Sequence, residues 1–328
     1  MNNTQKHFDE IDITKGIAIL SVIFSHSMIL YPKNIHDLPW CHNIANIIST
    51  YFLVSFFMVS GFLFSGRKQS FKEVFIGKSK RLLMPYFCFS ILNLFMKLIM
   101  PSLVNKQIES IPSYLAKLFL FGGEIWFLYT LFIIMIVWSL IITRIKKEMI
   151  PIGIVVLIII DCIIKRDAVY DIMLYTYFIH YSIFFLTGYY LRMNDIWYKY
   201  IQKKTTFLIF MLLFIIVTIY INELYMYMPT KLFCKFIGVF FIWSFSYQIL
   251  KHTFIIKKSL SWCGKESLAL YWLNGYCLVI SRTIVISLLQ INNSVQIATT
   301  IFILTLLLEI PIIMATKKLP YMKYIIGV

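Results

Sequence analysis

The sequence predicts an all-α fold, a polytopic membrane bundle of about ten transmembrane helices that forms a single domain over residues 1–328. Three observations carry that expectation. Of the 328 residues, 60% are hydrophobic and only 14% charged, whereas soluble domains carry about 25% charged residues. Apolar runs of roughly 20 residues, enough to cross the hydrocarbon core, recur along the chain and are joined by short loops. The formal charge of +16 is spread over those loops beside the apolar runs. There it meets anionic headgroups, so the expected partner is the lipid bilayer and no nucleic acid is expected.

In chain order the spans fall at 12–31, 44–65, 82–100, 124–143, 149–164, 172–191, 206–223, 232–250, 266–289 and 296–316. The fifth is short and holds Pro151 and Gly153. The polar start MNNTQKHFDE, and a first run that ends at Tyr31-Pro32-Lys33 without a small-residue cleavage site, give no sign of a cleavable signal peptide. No internal repeat or low-complexity tract is visible, so any chemistry must be done by the helices and the loops between them. Alternate loops differ sharply in Lys and Arg. One side holds Lys6 and the stretches 67–81, 144–147, 192–204, 251–265 and 317–323; the other holds only Lys33, Lys106, Lys117, Lys165, Arg166 and Lys231. The imbalance places both termini in the cytoplasm. The six cysteines (41, 88, 162, 234, 263 and 277) have no metal-ligand spacing and read as buried small hydrophobes, so no metal site is expected.

The first span, DEIDITKGIAILSVIFSHSMIL, carries Asp12, Lys15 and His26. Ionisable residues inside a bilayer are costly, and therefore point to function. Lys15 and His26 are eleven residues apart, roughly 1100° around an α-helix and so close to three full turns on one face. Asp12 joins that face one turn earlier. The rise from Lys15 to His26 is roughly 16 Å, about half the hydrocarbon thickness. His26 reads either as a core histidine bonded to a neighbouring helix or as a catalytic imidazole. Lys15 reads either as a lysine that snorkels to the headgroups beside Asp12 or as an anchor for phosphate.

The frame D-x-x-K-G-x-A-x-x-x-V-x-x-x-H, filled here by Asp12, Lys15, Gly16, Ala18, Val22 and His26, resembles the first helix of the acyltransferase-3 family. That family comprises multi-pass membrane proteins that move acyl groups from coenzyme A onto extracytoplasmic sugars. Many members have arginine at the Lys15 position; lysine keeps the charge and loses the bidentate fork. Further elements resemble the family in the same order. FFMVSGFLFSG (56–66) contributes Ser60 and Gly61, and GKSKRLLMPY contributes Lys78, Arg81, Pro85 and Tyr86. GGEIWFLYTLF (122–132) contributes Glu124 and Trp126. ESLALYWLNGY contributes Ser267, Tyr271 and Asn274 on one helical face, with Asn274 where the pattern often has histidine.

The resemblance implies a membrane O-acyltransferase of the bacterial cytoplasmic membrane. It would use an acyl-CoA, acetyl-CoA above all, as co-substrate on the cytoplasmic side, with no permanently bound cofactor. The acceptor would be a hydroxyl of a surface polysaccharide or lipid-linked sugar on the outer side. His26 and Glu124 are the expected catalytic groups; Lys15, Asp12, Lys78 and Arg81 the donor-binding ones; Ser60, Trp126, Ser267, Tyr271, Asn274 and Arg282 the substrate-binding ones. His26 would act either as general base toward the sugar hydroxyl or as a transient acyl carrier. His26, Lys97, Glu124, His180 and Arg282 share a depth in the outer half, which suggests a polar cavity open to the outside. A glycan or solute exporter would also need intramembrane charges. Against it stand the absence of a repeat and of matched broken helices.

Overall fold

In the computed structural model the described residues are 7–29, 33–64, 70–99, 108, 110–163, 173–252 and 254–319. Loop cations counted for orientation at 6, 67, 68, 106, 165, 166 and 323 lie outside them. The described residues form helices and no strand. The first half of the chain holds α1 (Asp9–Ser27), α2 (Pro39–Ser49), α3 (Phe52–Phe64), α4 (Phe71–Lys78), α5 (Met84–Ile99), α6 (Ile111–Phe121), α7 (Trp126–Ile142) and α8 (Ile150–Ile163). The second half holds α9 (Met173–Met193), α10 (Asp195–Ile201), α11 (Lys204–Ile219), α12 (Ile221–Leu224), α13 (Met228–His252), α14 (Phe254–Lys265), α15 (Ser267–Thr283) and α16 (Ser294–Thr316).

Five helices are long and apolar enough to cross a membrane: Pro39–Phe64, Phe71–Ile99, Met228–Lys251, Ser267–Leu288 and Ser294–Thr316. A sixth is reached if α10 and α11, bent by 67° at their junction, count as one span. The expected ten are therefore not reached by length and composition among the described residues, and the reasons are local. α1 and α9 are long enough but too rich in charged, tyrosine and histidine residues, while α7 and α8 are apolar but short. The chain is an all-α membrane bundle in either count.

α4 and α5 run as one helix through a π-helical turn at Ser79–Leu83. Pro85 explains the turn. It has no N–H to donate to the carbonyl four residues back, so the ladder slips to a five-residue step, with Met84 N–H reaching the Ser79 carbonyl.

α1 is the hub of the bundle and packs against α3, α13, α14, α15 and α16. Its acidic and hydroxyl groups are answered by neighbours. Tyr198 of α10 donates to Glu10, and Thr14 donates to the Ser246 hydroxyl of α13 at 3.0 Å. Inside a membrane, helix pairing depends on close packing rather than on expulsion of water, which favours small residues at contacts. Two glycine pairs show it. A Cβ on Gly16 would lie 2.0 Å from the Leu260 carbonyl oxygen, and one on Gly264 would lie 1.7 Å from that of Asp12, so α1 and α14 touch backbone to backbone. Gly61 and Gly188 seat α3 on α9 in the same way, each 1.8 Å from a carbonyl oxygen of the other helix, Phe185 and Met58 respectively. The close approach expected at Ser60-Gly61 is thus made by Gly61.

Gly188→Val should lower thermal stability, since overpacking costs about 1–3 kcal/mol and the clash here is with backbone. Gly153→Ala on α8, where a Cβ meets nothing within 4 Å, should leave it unchanged or raise it slightly. Melting of the detergent-purified protein checks both.

Candidate active site

A cavity of about 1020 Å³ opens between α1, α3, α4, α7, α9 and α15. This lies at the upper end of the range for ligand pockets. On α1 it is lined by Lys15, Ile19 and Val22, which follow the helical stripe foreseen from the spacing. Facing them are Leu53, Phe56 and Ser60 of α3, Phe127, Leu131, Met135 and Ser139 of α7, and Ser267, Leu268 and Tyr271 of α15.

The charge is concentrated at one end. Lys15, Lys78, Lys80, Arg81 and Lys265 all border the cavity. Lys80 and Arg81 stand in the π-helical turn, and Lys265 closes α14 just before α15 begins. Among the described residues no acidic side chain lines the cavity wall. Asp12 stands next to that wall, where its Oδ1 accepts from Lys15 Nζ at 2.9 Å and its Oδ2 lies 3.0 Å from His7 Nε2. Asp12 therefore fixes the Lys15 head rather than facing a ligand. The opposite end is narrowed by aromatic rings. Phe127 meets Tyr271 at 5.4 Å and Phe56 at 5.6 Å between ring centroids.

His26 is the next residue on the α1 stripe, one turn beyond Val22. Its side chain is exposed. Among the described residues it makes no hydrogen bond or ion pair. A core histidine locked to a neighbouring helix would show such a bond.

The other expected residues divide. Lys15, Ser60, Lys78, Arg81, Ser267 and Tyr271 are brought together on the cavity wall. Asn274 and Arg282 are buried farther along α15, and the Asn274 carbonyl oxygen has no hydrogen-bond partner among the described residues. Glu124 is not on the wall. It pairs with Lys97 and lies 3.5 Å from Asn93 Nδ2, and Asn93 in turn accepts from the Tyr276 hydroxyl at 2.5 Å. Trp126 is not on the wall either; its ring packs on Tyr177 at 4.2 Å and Tyr181 at 5.7 Å, and the adjacent Phe127 faces the cavity.

Three of the polar groups expected to share an outer cavity, Lys97, Glu124 and His180, fall instead into two separate networks. One joins Lys97, Glu124 and Asn93. Another is buried: Asp161 lies 2.8 Å from His180 Nδ1, and Lys235 Nζ lies 2.7 Å from His180 Nε2. Sequence reasoning did not single out Lys80, Lys265 or Phe127. The two lysines counted only as loop charge, and Phe127 is one residue from the position that was named.

No curated protein and no solved structure gives a significant match. A family model described as "Acyltransferase domain" matches residues 8–314, nearly the whole chain, including every residue placed on the cavity wall and His26 beyond it. The protein belongs to the acyltransferase-3 family and is a membrane acyltransferase.

Proposed function

We propose that the protein is an O-acetyltransferase of the bacterial cytoplasmic membrane, with both termini cytoplasmic. It takes an acyl group from acetyl-CoA and places it on a hydroxyl of a surface polysaccharide or lipid-linked sugar. The observation that carries this reading is the polarity of the cavity: five cations at its mouth, an apolar shaft, and His26 one turn past its last α1 residue. The phosphates of the donor suit the cations, with Arg81 able to hold one through two parallel N–H donors and the lysines as point charges. The uncharged pantetheine arm suits the apolar shaft, and the thioester would then reach the level of His26.

Two mechanisms use this geometry. In the first, His26 removes the proton of the sugar hydroxyl as its oxygen attacks the thioester carbon. The carbon–sulfur bond breaks, the coenzyme A thiolate leaves, and the proton passes from the imidazolium to that thiolate. In the second, the imidazole attacks first and carries the acyl group until the hydroxyl displaces it. In both, one thioester and one hydroxyl give one ester and one thiol. Tyr271, Ser267 and Ser60 on the wall offer hydroxyls to the amide groups of the arm. Asn274 offers an unpartnered carbonyl oxygen to a hydroxyl group.

His26→Ala should abolish transfer while leaving insertion intact, because the change makes α1 more apolar. His26→Gln keeps size and hydrogen bonding without basicity, and it too should be inactive. Transfer near the wild-type rate by purified His26→Gln would remove the histidine from the chemistry.

Lys15→Met should raise the donor KM by roughly tenfold or more, the worth of one charge-assisted contact, with a smaller effect on kcat. Lys15→Arg should keep a KM close to wild type. A lysine that only snorkels predicts a flat KM in both, which titration of acetyl-CoA against the purified variants resolves.

A cysteine at Asn293, an exposed position preceding α16, should react with an impermeant thiol reagent in intact cells. One at the exposed Lys72 of α4 should react only after lysis. The reverse pattern would invert the membrane orientation and remove the cytoplasmic donor.

A further inference from the structure

Two short helices, α10 and α14, and the α4 end of the continuous α4–α5 helix stand around the basic mouth. α4 contributes Phe71, Val74 and Lys78 to its wall. α10 follows the end of α9 that supplies Tyr189 and Met193, and its Tyr198 donates to Glu10 of α1. α14 lies on α1, with Gly264 against Asp12, and its last residue, Lys265, borders the cavity.

Each of these helices carries large exposed apolar side chains with lysines close by. On α4 the exposed pair is Phe75 and Ile76, with Lys72; on α10 it is Ile196 and Trp197, with Lys199. α14 is the extreme case. Phe254 is 81% exposed and Ile255 78%; Lys258 stands exposed on α14, and Lys251 stands exposed at the adjoining end of α13. Aqueous solvent does not suit the first set and hydrocarbon does not suit the second. The zone that accepts both is the headgroup boundary, where a basic amphipathic helix lies flat. The lysines are the complement of anionic headgroups, each worth a few-fold in binding near such a surface.

We propose that α14 and the end of α13 before it, supported by α4 and α10, form a collar that binds anionic phospholipid headgroups in the leaflet around the mouth, and that α14 transmits this contact to Lys15. The transmission follows from packing. Leu260 and Gly264 meet Gly16 and Asp12 backbone to backbone, and Lys257 lies 3.7 Å from Asp9. At these two glycines no side chain stands between the helices to absorb a shift, so α14 and the turn that holds Lys15 move together. Anionic lipid would then hold the donor anchor in place. This second half rests on the donor reading given above, whereas the lipid contact stands without it.

The test uses the full chain in nanodiscs of phosphatidylcholine, with or without phosphatidylglycerol, and compares wild type with Lys251→Gln/Lys258→Gln. Neither lysine lines the cavity. Native mass spectrometry should show wild type retaining phosphatidylglycerol over phosphatidylcholine. The double variant should lose that preference by roughly twentyfold, about fivefold per charge. The donor KM of wild type should rise severalfold when phosphatidylglycerol is omitted, and that of the variant should not respond. Equal retention of the two lipids by wild type, or undiminished preference in the variant, overturns the collar. Preferential retention with a lipid-insensitive KM overturns the transmission. Lys15→Met measured alongside separates the two readings: a flat donor KM there removes the anchor, while lipid retention is still read by mass.

Discussion

The structure depends on the turn of α1 that holds Asp12, Lys15 and Gly16. A helix with charges at this depth cannot face lipid, and its ionised groups must find partners within the protein. α1 meets that constraint by being enclosed. Five helices pack around it, Tyr198 and Ser246 meet Glu10 and Thr14, and Asp12 holds Lys15. The glycines let the enclosure close. With a side chain at Gly16 or Gly264, α14 would stand off, and the Asp12 carbonyl would lose its backbone neighbour. The same contact fixes the direction of Lys15, because Asp12 is clamped at its main chain while its carboxylate takes the lysine. Packing and electrostatics at this turn are therefore one constraint.

The parts of the site that follow from helical geometry within a single segment were legible in the sequence. Lys15, Ile19 and Val22 line the cavity and His26 extends their stripe because a period of 3.6 decides which residues share a face. Ser267 and Tyr271 fall on the wall for the same reason. Azimuth between helices was not legible. Trp126 and Phe127 differ by about 100° around α7, and only the packing against α9 and α15 decides that the phenylalanine meets the cavity. Similar depth proved only a partial guide to proximity. Of the residues grouped by level, Lys97 and Glu124 do pair, whereas His180 is taken by Asp161 and Lys235, which were not in that group. Asp161 carried no signal beyond being a lone carboxylate in an apolar run. The gathering of Lys80 and Lys265 beside Lys15 joins three segments far apart in sequence, and no local pattern encodes it. The number of spans does not follow from apolar runs alone for a related reason. An apolar run sets the length of a helix, while its neighbours decide whether a short or polar helix is sheltered within the bundle.

The polarity of the cavity bears on how such a protein differs from a carrier. A carrier must let a whole solute pass, so its path needs polar groups at both ends and along its length. Here the cations stand at one end, the shaft is apolar, and Phe56, Phe127 and Tyr271 crowd the other. An object with charge at its head and a thin neutral tail fits that profile; an object polar throughout does not. On the proposed reading, the phosphates never leave the mouth, because moving them into hydrocarbon would cost more than any set of contacts in the shaft could return. Only the neutral thioester goes deeper. The roughly 16 Å between Lys15 and His26 is then the distance over which the protein lets the reactive carbon advance while the charge stays behind. An imidazole suits the far end of that path, since it can be neutral on arrival of the thioester and cationic only while it holds the proton of the attacking hydroxyl.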